Sequence, residues 1–387
     1  MIVILIAMWA FFRVVVGEFY TGGESIAKLT RDMASWTILA AGMTLIIISG
    51  NIDLSVGSLL ALVAAACALL MSPEYGPGLP PHVAVPIGLA VGLLLGLLQG
   101  ALTAYLRIPS FIVTLGGLFV FRGITQKLSE FDPRLPGGTW VVSLGFDYLS
   151  PGAGLALALV ASGVIALALL RGRAARKKSG LPRHSLVLTI ALIAGGAALL
   201  VGLTARMNEY RGVPNQTVLM AVILVLLGIV SRRTVFGRHL YAIGGNMEAA
   251  RLSGIRVERT IVAAYALMGL LAAVAGVVWM AQNQGSTKNA GTYYELYAIA
   301  AAVIGGTSMM GGRGTIMGTF LGGLVMATVI QGMDYTNLEN WLQLVVRGGV
   351  LVLAVGLDMM SKRERRWRHF LSRGSRTGPT LHENPLS

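Results

Sequence analysis

The sequence is poor in charge, poorer still in acids, and almost without cysteine. Only 12% of its 387 residues are Asp, Glu, Lys or Arg, where soluble domains run nearer about a quarter. So little charge cannot clothe an ordinary soluble globule. The single cysteine, Cys67, lies in an apolar run, so no intrachain disulfide can form. The five histidines are scattered, with no His-x-x-Glu-His or Cys-x-x-Cys grouping, and neither a metal site nor a cofactor is expected. No Gly-x-x-x-x-Gly-Lys-[Ser/Thr] phosphate loop occurs, which argues against ATP hydrolysis by this chain. There is no Gly-x-Ser-x-Gly elbow, and no two carboxylates share a helix face within an apolar span, so an enzyme is not expected. A chain of buried Asp, Glu and His, as proton coupling would want, is missing too.

What the sequence has instead is apolar length. Residues of apolar type make up 55% of it. Runs fall at roughly 1–16, 35–50, 56–71, 83–106, 108–123, 151–170, 186–204, 214–231, 261–281, 294–306, 314–332 and 341–359. This is the pattern of an all-α, polytopic helical membrane protein. The alternating ten-residue segments of a transmembrane barrel are not present. Several runs are shorter than the ~20 residues a spanning helix needs. The expectation is therefore about ten spanning helices, with some segments broken or re-entrant. The first run carries no charged leader and no small-residue cleavage site, so it reads as a spanning helix rather than a signal peptide.

The net charge of +14 invites a nucleic-acid reading, and its distribution argues against one. Of 31 Lys and Arg, 19 lie in three short intervals, 171–185, 231–260 and 361–376. The loops 72–82 and 333–340 contain none. Such clustering marks cytoplasmic segments that face anionic lipid. Placing the clusters inside puts both termini inside. The expected organisation is a transmembrane domain over 1–360, interrupted by a basic cytoplasmic loop at 171–185 and a polar loop at 237–260. A basic tail over 361–387, partly disordered, would lie on the inner membrane surface through Trp367 and Phe370.

Four segments stand out. Within 237–260, Asn246 is a helix N-cap candidate, Glu248 falls in the first turn and Gly254 is a natural stop. Two turns of helix would lie between them, with Ala249 and Ala250 on the surface. The second segment, 49–58, interrupts two apolar runs and places Asp53 at membrane depth, where a carboxylate usually faces a cavity or a partner. Asp53 or Ser55 could equally cap the following helix. The third, 304–314, faintly echoes 48–58 in its glycines, which hints at an internal repeat and could equally be a plain turn. The fourth is glycine periodicity: Gly88, Gly92, Gly96 and Gly100, and again Gly314, Gly318 and Gly322. Residues four apart share one helix face, so each stripe makes a groove for a second backbone, within the subunit or across an interface. Arg122, Glu295, Arg347 and Asp358 also lie near membrane depth. Snorkelling accounts for Arg122 and the basic tail for Asp358, while Arg347 is left open.

These residues carry a resemblance. The pattern Glu248-Ala249-Ala250-x-x-x-Gly254 resembles the Glu-Ala-Ala…Gly loop of ABC importer permeases. The flanking Tyr241-Ala-Ile-Gly-Gly-Asn246 and Arg251-Leu-Ser-Gly-Ile255 are similar to the ribose and xylose branch of that family. So are Ile52-Asp-Leu-Ser-Val-Gly-Ser58, Pro109-Ser-Phe-Ile-Val-Thr-Leu-Gly116 and Gly305-Gly-Thr-Ser308…Gly311-Gly-x-Gly314. The stretch Asn208-Glu-Tyr-Arg-Gly-Val-Pro214 and the basic loop 171–185 point to the D-xylose permeases within it. The resemblance implies a permease that translocates a monosaccharide, with Glu248, Ala249, Ala250 and Gly254 docking on a separate cytoplasmic ATPase. It implies a periplasmic or lipid-anchored sugar-binding protein outside, and two permease copies side by side in the bacterial plasma membrane with the path between them. Asn51, Asp53, Ser55, Thr307 and Ser308 are the candidates for that path. An ABC permease for ribose, a signalling sugar or a branched-chain amino acid remains an alternative. So does an ion-coupled transporter, for which Asp53 is the only credible ligand.

Overall fold

Apolar helices too hydrophobic for water dominate the computed structural model, which describes residues 1–179, 185–350, 352, 353 and 356. The chain divides into two units, Met1–Leu338 and Glu339–Ser387. Of the second, residues 340–350 are helical. Arg183, Asp358 and the tail 361–387 lie outside the described residues.

The first unit is built in chain order from α1 (Ile2–Val16), α2 (Gly23–Asp32), α3 (Ala34–Ile48), α4 (Val56–Met71) and α5 (Pro81–Ala104). There follow α6 (Ser110–Leu128), α7 (Trp140–Phe146), α8 (Pro151–Lys178), α9 (Leu186–Asn208) and α10 (Asn215–Arg233). The last are α11 (Val235–Gly245), α12 (Met247–Leu252), α13 (Val257–Asn283), α14 (Tyr294–Ile304) and α15 (Ile316–Tyr335). Among the described residues β-pairing is limited to two isolated bridges, Arg134 with Gly285 and Tyr148 with Pro214. Backbone at membrane depth has to satisfy its own hydrogen bonds, and helices do so.

Seven helices among the described residues are long and apolar enough to cross a membrane, or eight if α2 and α3, bent by 47°, form one span. The apolar helices α1, α4 and α14 are shorter. They supply the discontinuous segments that lift the sequence-based expectation to about ten.

The core lies around α3, buried at every residue, with α13, α14, α10 and α15 packed about it. In contrast, α8 and α9 form a hairpin whose large side chains, Val160, Val164, Val187 and Leu199 among them, point outward. An apolar surface of that extent suits acyl chains. Both glycine stripes are used inside the subunit. Gly92, Gly96 and Gly100 let α5 close on Ala273, Gly269, Tyr265 and Val262 of α13, so the two helices run antiparallel. Gly318 and Gly322 let α15 close on the Gly305 and Ala301 backbone at the end of α14.

The two ends of the unit can be told apart. Gln282 Nε2, near the end of α13, donates to the Arg31 carbonyl at 2.6 Å. The α8–α9 hairpin starts and finishes there, since Asn208 Nδ2 donates to Pro151 O at 3.2 Å while Gly23 of α2 packs on Arg206. At the opposite end, about 40 Å away along the 27-residue α13, lie α11, α12 and the basic residues Arg232, Arg233, Arg238 and Arg251.

Candidate functional site

The polar interval 237–260 folds as its sequence reads. Asn246 accepts the Ala249 N–H at 2.9 Å through its side chain, which satisfies one of the donors left free at a helix start. At the other end the Gly254 N–H reaches Arg251 O at 3.0 Å and the Ile255 N–H reaches Ala250 O at 3.1 Å. Gly254 has φ +83°, the left-handed conformation this paired closure needs, and glycine adopts it without a Cβ penalty. The result is the six-residue α12. Arg251 ties it to α13 through Glu258 at 2.8 Å.

One expectation is corrected. Ala249 is exposed, but Ala250 is buried, because the single turn packs that side against its own chain. The surface α12 offers is instead Glu248, whose side chain is 72% exposed, with Ala249 and the apolar Met247 and Leu252, the last 82% exposed. Sequence reasoning passed over Leu252. A large apolar side chain left in solvent on a polar loop was the signal.

Just before α12, α11 touches both Gly-rich breaks. Gly244 lies against the Ile48 carbonyl and the Gly312 N–H, so closely that no side chain fits. The Gly312 N–H itself donates to Ile48 O at 2.9 Å. The Tyr241 hydroxyl donates to Gly314 O at 2.7 Å. The end of α3 and the α14–α15 loop thus meet on one face of α11. Thr307 is fully buried beside Gly314, with its Oγ1 unpaired, and Ser308 is nearly so.

The residues of the first break turn the other way. Asp53 is 1% exposed and its Oδ1 accepts from the Ser55 N–H at 2.8 Å and the Ser55 hydroxyl at 2.7 Å. Gln99 Nε2 on α5 donates to Ser55 Oγ at 2.8 Å, and the Tyr265 hydroxyl on α13 donates to Ile52 O at 3.1 Å. Asn51 Nδ2 stays local, on Ser49 Oγ at 3.0 Å. Ser55 holds the N-cap position of α4 without a side-chain cap bond, and Asp53 closes the turn that leads into it by accepting the N–H of that N-cap residue. The carboxylate is thus engaged locally, by the residue two positions on in the same turn. Asp53, Ser55 and Gln99 form one group and Asn51 stays apart on Ser49, while Thr307 lies near Ile48 on the other side of Gly314.

A further break was not singled out in the sequence. Residues 285–293 lead from α13 into α14, and Gly291 packs on the Gly57 carbonyl at the start of α4. Arg122 belongs here: its Nη1 donates to Ala290 O at 2.5 Å, so it turns into the break instead of snorkelling to the interface. Glu295 sits beside Gly57 with Oε2 buried and unpaired. Arg347, in the second unit, donates to Gln343 Oε1 at 2.5 Å.

A chain of apolar helices with a capped helix at one end and broken segments at its heart is the architecture of a transport subunit, and comparison agrees. Residues 25–355 match the family described as branched-chain amino acid transport system / permease component. The chain belongs to that permease family. It is 38% identical over 368 residues to the xylose transport system permease protein XylH of Escherichia coli K12, covering 94% of this chain and 92% of that one. Against XylH of Haemophilus influenzae the identity is 37% over 366 residues, covering 94% and 96%. Against the ribose import permease protein RbsC of Bacillus subtilis it is 35% over 335 residues, covering 86% and 84%. No solved structure matches. As a family member the permease is a multi-pass membrane protein, and the span of the match takes in α12 and all three breaks.

Proposed function

We propose that this permease is the membrane-spanning subunit of a binding-protein-dependent ABC importer for a monosaccharide, D-xylose. The observation that carries the reading is the likeness to xylose permeases along nearly the whole of both chains. The paired cap of α12 supports the rest. A separate cytoplasmic ATPase docks on Glu248, Ala249 and the exposed Leu252, while Gly254 fixes the turn. Closure of the ATPase pulls α12, and α11 carries the displacement to Ile48 and Gly312. A sugar-loaded binding protein delivers cargo at the opposite end, where Gln282 meets Arg31. Two permease copies stand side by side in the lipid with the path between them, and the termini are cytoplasmic. Asn51, Ser55, Thr307 and Ser308 offer uncharged hydrogen-bonding groups along the path, suited to an uncharged polyol. Asp53 has its carboxylate engaged by Ser55, which disfavours a role as the ligand of a coupling ion.

The test is ATP-driven uptake of labelled D-xylose into vesicles holding permease, ATPase and binding protein. Excess unlabelled xylose abolishes uptake, ribose reduces it and leucine leaves it unchanged. Accumulation blocked by leucine and indifferent to xylose would move the protein to amino-acid cargo. Uptake that persists with an inactivated ATPase would make it a secondary transporter.

A further inference from the structure

The helix α12 is too small to hold a partner by itself. A stable protein–protein interface takes about 800 Å² from each side, drawn from roughly 20–30 residues. The helix has six residues, and one of them, Ala250, is turned inward. A protein that grips α12 has to touch its surroundings as well, and the turn between α14 and α15 lies directly beside it.

That turn is a built element. The Ser308 N–H donates to Arg313 O at 2.9 Å and the Gly311 N–H to Ser308 O at 2.9 Å. The Ser308 hydroxyl accepts the Met310 N–H at 3.3 Å. Gly311 and Gly312 take φ +81° and +70°, left-handed values that glycine adopts without a Cβ penalty. Both press on α11. A Cβ on Gly311 would lie 2.8 Å from the Gly244 carbonyl oxygen, and one on Gly312 would lie 3.0 Å from Gly245 Cα. The turn so held carries Met310 at its tip, 79% exposed. Met310 is two positions from Gly312 and Met247 two positions from Gly245, so the two methionines flank one contact. Arg313, at the foot of the turn, is exposed too.

The apolar tip lies at the end of the unit that carries Arg232, Arg233, Arg238 and Arg251. Charges of that density belong to water and headgroups, so acyl chains do not account for a bare Met310. Methionine is enriched in protein interfaces and adapts its unbranched side chain to the pocket it meets.

We propose that the 308–313 turn is a second docking element for the ATPase, with Met310 as its apolar anchor beside Met247 and Leu252 of α12. The proposal rests on the assignment of α12 as an ATPase contact and adds a separate point of attachment to it. The partner surface it fits offers an apolar pocket for Met310 and an acidic side chain for Arg313. The turn begins one residue after the buried Thr307, so movement of Met310 reaches the Thr307–Ser308 group without passing through α11.

The test uses the full permease co-expressed with its ATPase. Met310→Asp weakens ATPase binding about tenfold in mild detergent, the scale of a truncated interface anchor, while the permease alone elutes and melts as the wild type does. A photo-reactive p-benzoylphenylalanine at position 310 cross-links to the ATPase in membranes. Unchanged ATPase affinity in Met310→Asp overturns the proposal, and so does a cross-link to phospholipid or to a second permease with none to the ATPase. Glu248→Arg separates this outcome from the docking assignment itself. A complex lost with Glu248→Arg but kept at full affinity with Met310→Asp removes the second element alone, whereas a complex indifferent to both removes the α12 assignment too.

Discussion

Gly244→Leu abolishes substrate uptake and lowers the thermal stability of the solubilised permease, while Gly245→Ala, one residue on, does neither. At Gly244 a Cβ would collide with the Ile48 carbonyl and lie 2.6 Å from the Gly312 nitrogen. Both obstacles are backbone, so no side chain can rotate away. The helix α11 has to move off, and with it goes the Gly312 N–H to Ile48 carbonyl bond. Overpacking of this kind costs about 1–3 kcal/mol or more, and the lost buried bond about 1 kcal/mol besides. Those are large shares of a total stability of about 5–15 kcal/mol. The functional loss goes further, because Gly244 is where α11 touches both the end of α3 and the loop before α15. An added Cβ at Gly245 meets nothing within 4 Å. Alanine there gains helix propensity of about 1 kcal/mol. Uptake by Gly244→Leu at the wild-type rate would mean that motion of the capped helix does not travel through this contact.

Glu248→Arg and Gly254→Trp each abolish co-purification of the ATPase while leaving the permease inserted and monodisperse. The first reverses a charge on a side chain that is 72% exposed and only loosely paired with Arg251 at 4.0 Å. Its cost to the isolated permease is therefore confined to an unfavourable dipole interaction of about 0.3–1 kcal/mol. The second places a bulky L-residue at φ +83°, a left-handed conformation that costs about 1–2 kcal/mol. It also plants an indole where the turn must enter a partner's groove. Both changes are small for the fold and large for an interface, since docking onto a six-residue helix leaves few contacts to spare. Pull-down through a tagged permease in mild detergent measures it. A complex that survives both substitutions would place the ATPase elsewhere.

The fold class and the capped helix were legible because each rests on local chemistry. Apolar length and low charge specify spanning helices wherever they occur. Asn246 and Gly254 act within five residues of themselves, so their roles read directly from spacing. The glycine stripes announced close packing but could not name the partner. Only the folded chain shows α5 against α13 and α15 against α14. What was illegible depends on pairs far apart in sequence. Gln99 reads as a lone amide in an apolar run, and its bond to Ser55, 44 residues earlier, is invisible without the fold. The segment 285–293 carries polar residues that look like a surface loop. The burial of Ala290 and Gly291 within it, beside Gly57, goes with Arg122 reaching Ala290 across 168 residues. Ala250 misled for the opposite reason: helix periodicity places it beside Ala249 but does not say which of the two meets the rest of the chain.

The claim on which the account depends is that α12 faces the cytoplasm. Cysteine substituted at Glu248 tests it directly, since the native Cys67 is buried and gives little background. A membrane-impermeant maleimide applied to intact cells leaves residue 248 unlabelled, and the same reagent labels it fully in inside-out vesicles. Labelling of residue 248 in intact cells would put the helix on the outer face and contradict the assignment of α12 as the place where the ATPase engages.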